Sequence, residues 1–214
     1  RFIRFNRNRF ARLLEGLDDR ARRALSVIPY LLHTNEPDFP GYQKGRLATH
    51  GLAQFDLNET IRRNVEFVFK QADVREPPPV LRPVVRAMFV VTDIGTMAQR
   101  PGDSSIIYLV SDLRGMGESV RRQLNRKLEE ITDWAESQGL YLYFELLDPA
   151  WCRDGNFGSL RGEPALGTMI LERFYRNAVY VAGELPVYWC TTPGSNREKH
   201  NKTARVMDRM DFDE

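Results

Sequence analysis

The stretch from Val84 to Asp112 constrains the fold more than any other part of the chain. It holds two apolar runs, Ala87 to Val91 and Ile106 to Val110, both rich in β-branched and aromatic residues. Turn-forming Pro101, Gly102, Asp103 and Ser104 separate them, so the pattern predicts two buried strands. Strands joined by a short loop pair antiparallel. Gly95-Thr96 follows the first run. A glycine there lets the backbone approach a phosphate closely, and the neighbouring hydroxyl can donate to it. That pair is the candidate phosphate contact.

Helical patterns surround this hairpin. Residues 2–16 place Phe2, Phe5, Phe10, Leu13 and Leu14 near one face, with arginines around the rest. A second helix starts near Asp18 or Asp19 and runs through Ala24, Leu25, Ile28 and Leu32, with Pro29 expected to kink it or end it early. After turn chemistry at 34–43, Asp56 is positioned to cap a helix from about Leu57 to Ala72, with Ile61, Val65 and Val68 inward. Pro77, Pro78 and Pro79 form a stiff spacer, the best boundary between an N-terminal helical region (1–75) and a core (76–192).

Beyond the hairpin, Val120, Leu124, Leu128, Ile131 and Ala135 predict a helix from Glu118 to Ser137, ended by Gly139. Arg121, Arg122, Arg126 and Lys127 fall off that stripe and read as a solvated face. Leu140 to Leu147 predicts a third strand, and a helical crossover permits parallel pairing. A glycine-rich loop at 154–167, a helix at 169–182, a strand at 186–190 and a polar tail at 193–214 complete the reading. The fold class is therefore α+β, a small mixed β-sheet flanked by helices, preceded by the N-terminal helical region.

Charge bears on partners. Residues 1–23 carry eight arginines against Glu15, Asp18 and Asp19, a local +5 in a chain of net charge +2, which leaves −3 for the other 191 residues. The distribution argues against a nucleic-acid surface over the whole domain. It makes the segment Arg1 to Arg23 the candidate docking element for an unknown protein partner or an anionic membrane, beside the plainer reading of a helix packed on its own domain. No apolar run approaches the roughly 20 residues that span a bilayer. Cys152 and Cys190, without secretory signals, read by default as reduced thiols of a cytoplasmic protein, with a disulfide between the two as the alternative. His33, His50 and His200 show no metal-ligand spacing with each other or with the cysteines.

Several blocks together resemble the N-terminal catalytic domain of class I adenylate cyclases, the enterobacterial type, within the nucleotidyltransferase (DNA polymerase β) superfamily. They are IPYLLHTNEPDFPGY (28–42), EPP (76–78), the strand leading to Gly95-Thr96, DWAESQGLYLYFELLD (133–148), FGSLRGE (157–163) and FYRNAVYVAG (174–183). The resemblance implies a nucleotidyltransferase-like core, ATP as substrate and Mg²⁺ held by an Asp-x-Asp pair on the second strand. The departures fall on that chemistry. Thr96 stands where the family carries Ser, and alignment by the strand's apolar end puts Ser105 and Ile107 where the aspartates belong.

Mg²⁺ requires hard oxygen ligands in near-octahedral array. Ser105 offers one neutral oxygen and Ile107 none, so no metal or other cofactor is assigned. Asp103, two residues before Ser105, is the least implausible substitute, ahead of Asp93 and Asp112. Glu145 and Asp148 are candidates for a third carboxylate, with solvation at a strand edge the plainer reading. Two functions stand at this point. One is a degenerate cyclase-like domain with a regulatory or protein-interaction role, with or without a bound nucleotide. The other is an active cyclase making cyclic AMP from ATP and Mg²⁺ with substitute carboxylates.

Overall fold

The two apolar runs of the hairpin form adjacent central strands of a four-stranded sheet in the computed structural model, which describes residues 2–45, 49–70, 72–94, 103–150, 174 and 177–184. In chain order the elements are α1 (Phe2–Glu15), α2 (Asp19–His33), α3 (Glu59–Val68), β1 (Ala87–Val91), β2 (Ser105–Val110), α4 (Glu118–Ser137), β3 (Leu142–Leu147) and β4 (Val179–Gly183). Strand order is β3-β2-β1-β4. β1 pairs antiparallel with both β2 and β4, while β2 pairs parallel with β3 after the α4 crossover. The sheet is mixed and flanked by helices, as the hairpin and crossover spacing predict.

Every residue of β1 and β2 is buried, the mark of strands covered on both faces. Alternation sorts them. Met88, Val90, Ile107, Leu109 and Leu142 share one cluster with Leu13 of α1, with α2, with Val65 of α3 and with Leu124, Leu128, Ile131 and Ala135 of α4. Ala87, Phe89, Val91, Ile106, Tyr108, Val110 and Leu147 pack on the opposite face with Phe174. The helices before the polyproline spacer and the strands after it therefore share one core.

Four expectations need correction. Helix α2 is capped by Asp18, which accepts from Ala21 N–H. It runs through Pro29 to His33 rather than ending early. Burial of every residue from Val27 to His33 outweighs the one hydrogen bond the proline removes. Helix α3 begins two residues later than expected, because Asn58 rather than Asp56 accepts from Ile61 N–H, and it ends at Val68. The helix expected over 169–182 is present at Phe174 and Asn177, with Ala178 N–H donating to Phe174 O, but its last residues belong to β4 at Val179–Gly183. Phe5 is 63% exposed instead of lying in the apolar face of α1.

Helix α1 lies against the β4 edge. The Asn6 side chain completes a strand-like pair with Tyr180, donating to its carbonyl at 2.7 Å and accepting its N–H at 2.8 Å. Arg9 donates to the carbonyls of Ala178 and Asn177. Part of the arginine-rich segment thus covers a sheet edge that would otherwise present unpaired backbone groups. Among the described residues, no helix is long and apolar enough to cross a membrane.

Candidate functional site

The end of the β1–β2 hairpin is where the sequence places its candidate site. Thr92, one residue past β1, faces Ser105, the first residue of β2, across the ladder in which Val91 opposes Ile106. Ser105 Oγ donates to Thr92 Oγ1 at 2.9 Å, and Thr92 Oγ1 also accepts from Ile94 N–H at 3.1 Å. Both side chains are buried, Ser105 at 3% exposure. The Ser105 hydroxyl is therefore engaged within the fold. Ile107 is fully enclosed at 0% exposure in the helix-side cluster.

The other named acids scatter. Asp93 and Asp103 flank the hairpin loop and are half-buried. Glu145 pairs in register with Tyr108, which puts it on the face opposite Ser105 and Ile107, since side chains alternate along a strand. Asp112 and Asp148 sit at the far ends of β2 and β3, roughly 20 Å from Ser105 by the rise of a strand.

Asp148 is not a solvated edge acid. It is 3% exposed and accepts from the backbone N–H groups of Leu113, Arg114 and Ala150 at 3.1, 3.2 and 2.8 Å. Asp112 accepts from Gly115 N–H. These carboxylates hold the loop that leads into α4. Among the described residues, no group of three or more His, Cys, Asp or Glu side chains is placed to hold a metal ion. Gly95, Thr96, the 154–167 loop, the 186–190 strand, Cys152, Cys190, His200 and the 193–214 tail lie outside the described residues.

Sequence reasoning missed the most deeply buried charge. Lys127, expected on a solvated face with Arg121, Arg122 and Arg126, is 1% exposed, whereas those three arginines are exposed. Its Nζ donates to the carbonyls of Thr34 and Gly41 at 2.8 and 3.2 Å. Burial lowers its pKa to about 8, and Glu130 pulls the other way. Glu130 accepts from Gly41 N–H and from Gln43 Nε2, so two residues of α4 clasp the 34–43 loop. Gly41 is required there: at φ +85 a Cβ would meet Lys127 Cγ at 2.8 Å. The missed signal was angular. Lys127 lies three residues after Leu124, about 60° off the stripe at 100° per residue, which is its flank and not its back.

His33 has the packed role expected of it. It stacks on Phe55 at 4.4 Å, and its Nδ1 lies 3.2 Å from Leu52 N–H. Burial lowers its pKa.

Comparison with known proteins gives the family of the chain. The family model described as the adenylate cyclase NT domain matches residues 1–189. The adenylate cyclases of Shigella flexneri and Escherichia coli are each 27% identical over 207 residues, covering 94% of this chain and 24% of the relative. That of Yersinia intermedia is 29% identical over 196 residues, covering 88% of this chain and 22% of its own length. The chain thus spans about a quarter of the length of these relatives. No solved structure matches it. With the family model covering most of its length, the chain belongs to the adenylate cyclase N-terminal domain family.

Proposed function

We propose that this chain is a catalytically degenerate adenylate cyclase N-terminal domain with a nucleotidyltransferase-like core, acting as a regulatory or protein-interaction module. The observation that carries the reading is β2 itself. All six of its residues are buried and none is acidic. Nucleotidyl transfer from ATP draws on a divalent metal to bridge phosphate oxygens and neutralise developing charge. Such an ion needs carboxylate oxygens gathered on one open face.

The described residues do not fit it. Ser105 donates its hydroxyl to Thr92, and Ile107 is enclosed by the helix layer. Moving the alignment by one residue exchanges faces and puts Ser104 and Ile106 at the two positions, which brings no acid either. Ile106 is buried with Tyr108 and Phe174. Glu145 stands on the face opposite Ser105, and Asp148 is held by three backbone donors. No step of ATP cyclisation is therefore assigned to these residues.

Gly95 and Thr96 remain the proposed nucleotide contact, one that would work through backbone N–H and hydroxyl donors without a metal clamp. The test is to incubate the purified chain with ATP and Mg²⁺ or Mn²⁺ and assay for cyclic AMP and pyrophosphate. Calorimetric titrations with ATP and cyclic nucleotides accompany the assay. No turnover is expected, and nucleotide heats, where present, should not depend on metal. A robust metal-dependent rate that disappears in Asp103→Ala overturns the proposal in favour of an active cyclase using Asp103, the half-buried acid two residues before the start of β2.

A further inference from the structure

The junction of α2, residues 34–45 and 49–53, and α4 brings basic groups together. Lys127 and Thr49 are at most 1% exposed, and His33 is 7% exposed. The Lys127 ammonium bridges two loop carbonyls, while His50 Nδ1 and Thr49 Oγ1 are enclosed without any hydrogen-bond partner. The segment beside them is tied from several sides. Gly51 N–H donates to Leu32 O, Ala53 N–H to Val85 O, and Val85 N–H to Gly51 O. Leu52 N–H donates to His33, and Leu52 bridges Val85. This short stretch is what joins α2 to the lead-in of β1.

We propose that this junction is an acid-released latch, in which charging the His50 imidazole beside the Lys127 ammonium loosens residues 49–53 from α2 and Val85. The geometry leaves the added proton nowhere good to go. His50 Nδ1 is buried and has no acceptor, and charging this half-buried side chain would put a second cation within electrostatic reach of Lys127 and of His33 from α2. The opposing acids are Glu36 from the loop and Glu130 from α4, the latter already holding Gly41 and Gln43. The electrostatics agree in direction. Burial lowers the pKa of His50 most, Lys127 and His33 lower it further, and Glu36 raises it.

A base with a lowered folded-state pKa favours the closed form above the open form's ordinary value of 6.5. That preference is lost as pH falls below 6.5 towards the folded-state value.

Amide hydrogen exchange on the whole chain, corrected for intrinsic rate and read at pH 7.5 and 5.5, tests the latch. Protection at Gly51, Leu52 and Ala53 should fall several-fold at pH 5.5. The ceiling is about tenfold, set by one pH unit below the open-form value. Protection at Ile107 and Leu109 in β2 should hold, and His50→Gln should abolish the fall. Constant protection, a fall shared equally by β2, or a fall that persists in His50→Gln overturns the proposal. Titration of the His50 imidazole in the unaltered chain is an independent arm. A midpoint below 6.5 supports the latch, and one at or above 6.5 overturns it.

Discussion

Two interior regions of this molecule handle polarity in opposite ways. At the hairpin end, where family resemblance leads one to expect paired carboxylates, the buried groups are the hydroxyls of Thr92 and Ser105 and the hydrocarbon of Ile107. At the α2–α4 junction, where an amphipathic pattern leads one to expect hydrocarbon inside and charge outside, a lysine is enclosed. The difference lies in partners. Lys127 finds two carbonyls and the clasp of Glu130 nearby. Ile107, by contrast, is fully buried in the cluster of apolar side chains that α2 and α4 share with the sheet. A charge persists in an interior only where the surrounding backbone or side chains are arranged to meet it.

Placing a carboxylate where the resemblance would have one is the hardest test of that contrast. Ile107→Asp removes a fully buried side chain and leaves an unpaired charge among Leu109, Leu124 and Ile131. The expected loss is about 4 kcal/mol or more, enough to unfold a marginal domain. Urea denaturation followed by circular dichroism reads it. A variant as stable as the parent would mean that the β2 face opens to solvent or to an ion. The account of the hairpin end would then be wrong.

The charged region should show the next largest effect. Lys127→Ala leaves a cavity and orphans Thr34 O and Gly41 O, an expected loss of about 3 kcal/mol. Lys127→Met keeps most of the volume and should lose less. The two also separate in pH dependence. The folded-state pKa of Lys127 is about 8 against 10.5 in the unfolded chain, because burial disfavours the charged form. Between those values the unfolded state binds more protons, so stability contributed by this site rises with pH from about 8 to 10.5. The rise amounts to about 2 kcal/mol or somewhat more. Tyr30, whose pKa is raised by burial, works against it near the upper end. The difference between parent and Lys127→Met across pH 8 to 10 isolates the lysine. A difference that stays flat would show that the ammonium is not enclosed as described.

Much of the frame was legible because its signals were local. The α4 stripe with Gly139 beyond it gave the bounds Glu118–Ser137, and the turn residues between two apolar runs gave the antiparallel hairpin. The misreadings arose where two signals competed. Asp56 and Asn58 both suit a helix cap, and only burial of Leu57 with the turn onto Ile61 selects Asn58. Ile170, Phe174, Ala178 and Val181 have helical spacing, yet Val179 to Val181 is a short run of strand formers, of which Val179 and Tyr180 pair with β1 and Val181 falls at a register shift. That strand ends at Gly183, a position only glycine fits, because φ is +98 and a Cβ would collide with Arg86 O. The candidate site was less legible. Sequence can state that acids are missing from β2, but not that Glu145 and Ser105 stand on opposite faces or that Asp148 is held by backbone donors. Those facts follow from register and from loop closure between distant residues.

The smallest expected effect probes whether the hairpin hydroxyls are structural. Ser105→Ala removes one buried donor while Thr92 Oγ1 keeps the N–H of Ile94, so a loss of about 1 kcal/mol is expected. Thr92→Val removes the acceptor for both groups and should lose about 2 kcal/mol. The double variant should fall short of their sum by about 0.5–1 kcal/mol, since the second change finds the shared bond already gone. Additive losses would mean that the two hydroxyls do not bond to each other. Ser105 Oγ would then be available as an oxygen ligand, and one of the structural arguments against an ion at this end of the sheet would be removed, leaving the absence of acids from β2.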